Sequence, residues 1–310
     1  MNIDKENGCY KNLQSQINAI FRDCREGSIK TRYRYKEAVE RFSSFLATEY
    51  KLQKFENIKA KHIEGYVERL KNDGASPSTI KTDLSAIRYF YKHSGGKNRL
   101  PDNSRLDLER RSFAVVDRSW LPNEIASAKA YAKEMGRMDI YYAISLSSTF
   151  GLRLEETCLV APAHLRQCLQ HGELWTKGKN GKERYIQMRN SEQLAVVREV
   201  LQYAKEQHLG ANDKIICHQL KGGVQQEKRS IQAFINNHKS EFIDPGRLIT
   251  NDTQKQRKMT LNFHGLRYTY ANQLYSSIYK ETGDNHKSKL YVSNQLGHNR
   301  KSVLTIYLQK

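Results

Sequence analysis

Between Ser28 and Gly96 the apolar residues return at the intervals that bring them to one side of a helix. In SIKTRYRYKEAVERFSSFLATEY, Tyr35, Val39, Phe42, Phe45 and Leu46 fall near the i, i+3, i+4, i+7 positions of a single face, and Ser28 can cap the start. KAKHIEGYVERLKNDG gives a shorter helix that stops at Gly74 in the manner of a C-cap. In SPSTIKTDLSAIRYFYKHSGG, Ser76 before Pro77 opens a third helix. Ile80, Leu84, Ile87 and Phe90 or Tyr91 form its buried stripe, and Gly95-Gly96 ends it. Residues 28–97 are therefore expected to form an all-helical domain, with the polar residues 1–27 as an N-terminal extension.

The next stretch, GGKNRLPDNSRLDLERRS, mixes glycines, a proline and alternating charge, and residues 98–119 read as an exposed linker. Helix signals resume after Trp120 in PNEIASAKAYAKEMGRMDIYYAISLSSTFG, and ELWTKGKNGKERYIQM alternates as a hairpin with its turn at Asn180-Gly181. Further helices are expected in SEQLAVVREVLQYAKEQ and after Ser230. The fold class this predicts is mainly α with a small β hairpin (α+β), the second domain spanning 120–310. No internal repeat and no long low-complexity segment interrupts it.

At 310 residues the chain has room for two domains of ordinary size. Lys+Arg of 52 against Asp+Glu of 33 gives a formal charge of +19, which calls for a polyanionic partner. A membrane is the weaker candidate, because no run approaches the roughly 18 apolar residues of a spanning helix. The start MNIDKENGCYKNLQ lacks the apolar core of a secretion signal. Cys9, Cys24, Cys158, Cys168 and Cys217 are scattered and form no CxxC pair, so reduced thiols in a cytoplasmic protein are expected, without a disulfide framework or zinc site.

Four islands in the second half carry chemistry. TFGLRLEETCLV sets Arg153 and Glu156 three apart, a spacing that taken alone most often makes a surface ion pair. The hairpin carries Lys177, Lys179 and Lys182 about its turn, where lysines are mostly solubilising. In TLNFHGLRYTYANQL, Thr260 or Asn262 can cap a helix with His264 and Arg267 on one face and Leu266, Tyr270 and Leu274 as its buried stripe. Finally QLGHNRKSVLTIYLQK places His298 just past Gly297 and Tyr307 on a last helix. Two arginines, two histidines, a lysine and a tyrosine, without an acidic cluster to hold Mg²⁺, suit metal-free phosphoryl transfer better than a metallonuclease.

The order GLRxxE, lysine hairpin, HxxR, LGH and a tyrosine nine residues after that histidine resembles the tyrosine recombinases, the phage-integrase-like site-specific recombinases. The similarity covers nearly the whole chain, since residues 28–94 also look like that family's helical core-binding domain, with residues 120–310 as the mixed catalytic domain. The resemblance implies that Arg153 and Arg267 grip the scissile phosphate and that Tyr307 is the nucleophile. His264 and His298 would bond the phosphate and manage the tyrosine proton. Lys179, directly after Gly178, best matches the catalytic lysine, with Lys177 and Lys182 as rivals, and Glu156 would be a brace. No cofactor and no metal would be needed. The partners implied are double-stranded DNA, a homo-tetramer on two DNA sites, and an accessory DNA-bending or directionality factor, in a nucleoid-associated setting. Lys81, Arg88 and Lys92, which lie off the apolar stripe of their helix, become candidate DNA contacts.

Integration or excision of a mobile element is the expected role. The alternatives are a DNA-relaxing, topoisomerase IB-like enzyme with the same tyrosine chemistry and a non-catalytic DNA-binding protein of the same fold. Three departures from the family pattern are visible. The sequence stops three residues after Tyr307, where many members continue with a segment that docks on a neighbour. SSIYKETGDNHKSKLYVSN looks long and polar, as a surface insertion would. Residues 1–27 are too few for a separate arm-site domain.

Overall fold

The computed structural model describes residues 6–109, 118–178, 181–218, 222–248 and 261–297, and the chain divides into two compact units, 1–112 and 113–310. Among the described residues the architecture is helical with one two-stranded antiparallel hairpin, the expected fold class.

The first unit holds α1 (Gly8–Asp23), α2 (Ile29–Tyr50), α3 (Ala60–Asn72) and α4 (Pro77–His93). Ser28 caps α2 by accepting from the Thr31 amide, and Ser76 caps α4 with Pro77 as first helical residue. Phe42, Leu46, Tyr66, Ile80, Ile87 and Phe90 fill the core at 2% exposure or less. The extension expected over residues 1–27 is part of this core: α1 inserts Leu13, Ile17 and Ile20, a helical spacing the polar residues around them obscure. Asn7 caps α1 by accepting from the amides of Cys9 and Tyr10.

The linker expected at 98–119 is also corrected over its first part. Asn98 donates to the Ile58 carbonyl (2.9 Å), and Arg88 donates to the Pro101 carbonyl (2.7 Å) and to Asn103 Oδ1 (2.9 Å). Leu106 is buried, Lys71 reaches the Asp107 carbonyl (2.8 Å) and Lys81 that of Glu109 (2.7 Å). Residues 98–109 are a strap on the helical unit, because cations from α3 and α4 satisfy backbone carbonyls that composition alone assigns to water. Of the three candidate DNA contacts, Lys81 and Arg88 thus have bonds inside the unit, and Lys92 is exposed.

The second unit contains α5 (Pro122–Glu134), α6 (Met138–Phe150), α7 (Leu154–Cys158), α8 (Pro162–His171), β1 (Glu173–Lys177), β2 (Glu183–Gln187), α9 (Ser191–Glu206), α10 (Gly223–His238), α11 (Phe263–Thr282) and α12 (Asn285–Gln295). The α6 helix is buried from Tyr142 to Phe150 without a break, so it is a central rod with α5, α9 and α11 packed about it. Trp120, 1% exposed, ties the start of the unit to α11: its amide donates to Thr269 Oγ1 (2.8 Å), its indole to the Asn262 carbonyl (2.9 Å), and its ring stacks on Phe242. β1 and β2 pair from Glu173↔Gln187 to Lys177↔Glu183, so the connection is residues 178–182 rather than a two-residue Asn-Gly turn, with Gly181 at φ 73°.

The polar stretch expected to be an insertion instead finishes α11 and forms α12. Gly283 ends one helix at φ 65° and Asp284 caps the next, while Ile278 and Val292 are buried. No helix among the described residues is long and apolar enough to cross a membrane.

In the first unit, buried Asp83 accepts from Arg41 Nη2 (2.9 and 3.1 Å) and from the Tyr66 hydroxyl (3.2 Å). Asp83→Ala should strand that hydroxyl and the half-exposed guanidinium, at a cost of about 2–3 kcal/mol. Urea titration of the full chain, followed by a probe in α2–α4, checks it; a loss below about 0.5 kcal/mol would refute the importance of the pair.

Candidate active site

Glu156, on the single turn of α7, is 2% exposed and stands among three guanidinium groups. Its Oε1 accepts from Arg153 Nη1 at 2.6 Å, its Oε2 accepts from Arg184 Nη2 at 2.6 Å, and Arg267 Nη1 lies 3.9 Å from the same Oε2. The Arg153 backbone amide also donates to Oε2 (2.8 Å), so the Glu156 side chain reaches back to satisfy the amide of the residue that starts α7. Burial by itself raises the carboxyl pKa; Arg184, the Arg153 amide, Arg267 and the Arg153 guanidinium outweigh it, and the net direction is down. Three cations against one carboxylate leave a formal excess of two positive charges at one point of the unit.

Arg153 and Arg267 meet again on a second partner. Arg267, wholly buried on α11, donates to the carbonyls of Gly151 and Leu296, and Arg153 Nη2 approaches the same Leu296 carbonyl at 3.4 Å. That carbonyl belongs to the turn that ends α12, so the packed α11–α12 pair brings the Leu296-Gly297 turn to the arginines. Arg267 is an interior residue, whereas the spacing with His264 alone suggested only a shared face.

His264 lies one turn before Arg267, exposed as a residue and packed edge-to-face on Tyr268 (5.4 Å). Partial desolvation, then the cations of Arg267, Arg153 and Arg118, push its pKa down to about 4, so it is a neutral imidazole at physiological pH. Asn262 is the cap of α11, accepting from the Gly265 amide. Gly265 is glycine because a Cβ there would lie 2.4 Å from the Arg118 carbonyl and 2.6 Å from the Trp120 ring. A cleft of about 490 Å³ opens beside His264, lined by Leu154, Gln232, Asn236 and Asn262.

The expected set is thus brought together in part. Arg153, Arg267 and His264 converge; Lys177 and Lys182 sit at the two ends of the hairpin connection; Lys179, His298 and Tyr307 lie outside the described residues. Among the described residues no group of three or more His, Cys, Asp or Glu side chains is placed to hold a metal ion. Sequence reasoning missed Arg184. The signal was available, since Arg184 is in phase with Ile186 on the inward face of β2, and an arginine at such a position needs a buried acceptor.

His264 yields a titration test. Its folded pKa lies below the ordinary value near 6.5, so its contribution to stability is complete above about pH 6.5 and is lost as pH falls toward about 4. NMR of the imidazole should show a midpoint near 4 in the free protein; a midpoint near the ordinary 6.5 would contradict the crowding by cations.

Comparison with known proteins fits this geometry. The family described as phage integrase, N-terminal SAM-like domain, matches residues 13–98. Tyrosine recombinase XerD of Caulobacter vibrioides is 31% identical over 142 residues, which is 44% of this chain and 46% of that protein, so the chain spans under half the length of this curated relative. A lambda integrase tetramer bound to a Holliday junction shares the fold at TM-score 0.64 and 17% identity, over 97% of this chain and 77% of that one. The Tn1549 transposon integrase in complex with transposon right end DNA does so at TM-score 0.60 and 14% identity, over 96% and 95%. The chain is thus similar to the integrases and tyrosine recombinases at three levels: its helical unit matches the integrase N-terminal family, part of its sequence is XerD-like, and its fold is that of the integrases.

Proposed function

We propose that the protein is a site-specific recombinase that cuts and rejoins duplex DNA through a 3′-phosphotyrosyl link at Tyr307, serving integration or excision of a mobile element. The observation that supports this most directly is the convergence of Arg153 and Arg267 on Glu156 and on the Leu296 carbonyl, two residues before His298. A cationic centre braced by one carboxylate is what a phosphodiester needs when charge grows on its non-bridging oxygens. Guanidinium suits it, being planar, able to bond bidentately and always charged.

The chemistry follows from the groups. A tyrosine phenol has a pKa near 10 and requires a proton acceptor, and His264, neutral at physiological pH, can serve. The departing 5′ oxygen requires a proton, which an ammonium from the hairpin can give; Lys179 is our choice, with Lys177 and Lys182 as rivals. His298 would bond the phosphate. The phosphotyrosyl link keeps the energy of the broken phosphodiester, so joining to another 5′-hydroxyl needs no ATP. DNA is the partner, as it is in the solved complexes of lambda integrase and the Tn1549 integrase, and assembly as a tetramer, the form in which lambda integrase is bound to a Holliday junction, would join two DNA sites. Exposed Lys92 is the proposed phosphate contact on the helical unit; Lys81 and Arg88 would have to exchange strap carbonyls for phosphates. An accessory bending factor belongs to the same proposal.

The test uses nicked duplexes randomised about the nick, with covalent adducts resolved on denaturing gels and their DNA sequenced. Wild type should form adducts with one recovered sequence, equally well in the presence of a chelator. Tyr307→Phe should form none, and Arg267→Ala should slow formation by about 10²–10³-fold. Absence of adducts, or adducts that persist in Tyr307→Phe, would refute the proposal. Joining of ends from two different duplexes separates recombination from relaxation of one.

A further inference from the structure

Arg184 is absent from the set that the sequence motifs pick out, yet its side chain is only 9% exposed and its guanidinium bridges two elements. One Nη donates to Glu156 Oε2 and the other to the Gln295 carbonyl. The hairpin makes a second bond to the same segment, from the Gln187 amide to Gln295 Oε1 (2.9 Å). We infer that Arg184 is a positioning residue: it fixes the lysine-bearing hairpin against the phosphate-gripping arginines by sharing the Glu156 carboxylate with Arg153. This rests on the function proposed above, in which a hairpin lysine protonates the leaving oxygen.

The geometry leaves little slack. Arg184 faces Thr176 in the ladder, and only one more pair, Lys177↔Glu183, separates it from the connection. The connection is closed by the Gly178 amide donating to the Lys182 carbonyl (2.7 Å). Gly178 lies against the relay itself, since a Cβ there would be 3.0 Å from Glu156 Oε1 and 3.6 Å from Arg153 Nη1. On the other side Gly297, at φ 63°, leaves room for the Arg184 stem, which a Cβ would meet at 2.9 Å. The hairpin tip, the Arg153 grip and the Leu-Gly turn therefore share one carboxylate and one guanidinium. Displacement of a reacting group by about 1 Å can cost on the order of 100-fold in rate, so a relay of this kind can control proton delivery.

A purely structural arginine would slow every step alike when replaced; a positioning one would slow the proton transfer. DNA with sulfur in place of the bridging 5′ oxygen separates the two. With ordinary DNA the Tyr307 oxygen bonds to phosphorus, the P–O5′ bond breaks, and the leaving oxygen takes the proton of the lysine. With sulfur the P–S bond breaks to release a thiolate, whose thiol has a pKa of only about 8.5, so no proton is needed. On the sequence recovered from the randomised duplexes, Arg184→Lys, which keeps the charge and loses the fork, should slow cleavage of the oxygen substrate about 100-fold and the sulfur substrate less than about 5-fold. Arg184→Met, of similar volume and uncharged, should give the same ratio, and melting curves identify whichever variant folds as wild type does. Equal slowing on both substrates, or no slowing on either, overturns the inference. Lys179→Ala, Lys177→Ala and Lys182→Ala serve as references: one of them should be rescued by sulfur, and if wild type cleaves but none is rescued, it is the lysine role in the proposed function that fails.

Discussion

Three guanidinium groups around one buried carboxylate is an arrangement that would repel itself apart if Glu156 were removed. Each cation reaches Glu156 from a different element: Arg153 from the start of α7, Arg184 from β2, Arg267 from α11. The carboxylate therefore sets the mutual position of a short helix, a hairpin and a long helix at once. Its interior location raises the electrostatic stakes, because a buried charge that loses its partner costs several kcal/mol. The excess positive charge that remains is a stored demand for an anion. A phosphodiester is the anion that satisfies it in the reading favoured here.

The helical periodicity was strong enough to place α2, α3 and α4 with their caps, since Ser28, Ser76 and Gly74 act locally and the apolar stripes repeat through several turns. The stripe of Leu266, Tyr270 and Leu274 on α11 was visible for the same reason. Arg153 and Arg267 were identifiable as residues of interest only jointly, as members of an ordered set of motifs. Their separation along the chain carries no information about the Leu296 carbonyl that both approach.

What the sequence hid was tertiary in origin. Residues 98–109 have the composition of a solvated connector, and nothing local announces that Lys71, Lys81 and Arg88 will satisfy their carbonyls. Arg184 reads as one more basic residue in a lysine-rich hairpin until Glu156 is found opposite it. α12 was masked by its own polarity: of its eleven residues the buried ones are Ser288, Val292, Ser293 and Gln295, which give almost no apolar rhythm. Its role is to deliver Leu296, and that task needs rigidity more than a greasy face.

The way Trp120 is held bears on how the polypeptide acquires its shape during synthesis. Its amide partner is Thr269 and its indole partner Asn262, about 140–150 positions downstream. The ribosome works at roughly 5–20 residues per second, so those acceptors emerge on the order of ten seconds later. The helical unit, whose strap is complete by Glu109, can close early. Its neighbour must wait with the α11-facing side of the α6 rod uncovered until α11 arrives. Nascent chains of the second unit therefore spend that interval as the aggregation-sensitive species, and slow passage through the codons for residues 150–260 would prolong it.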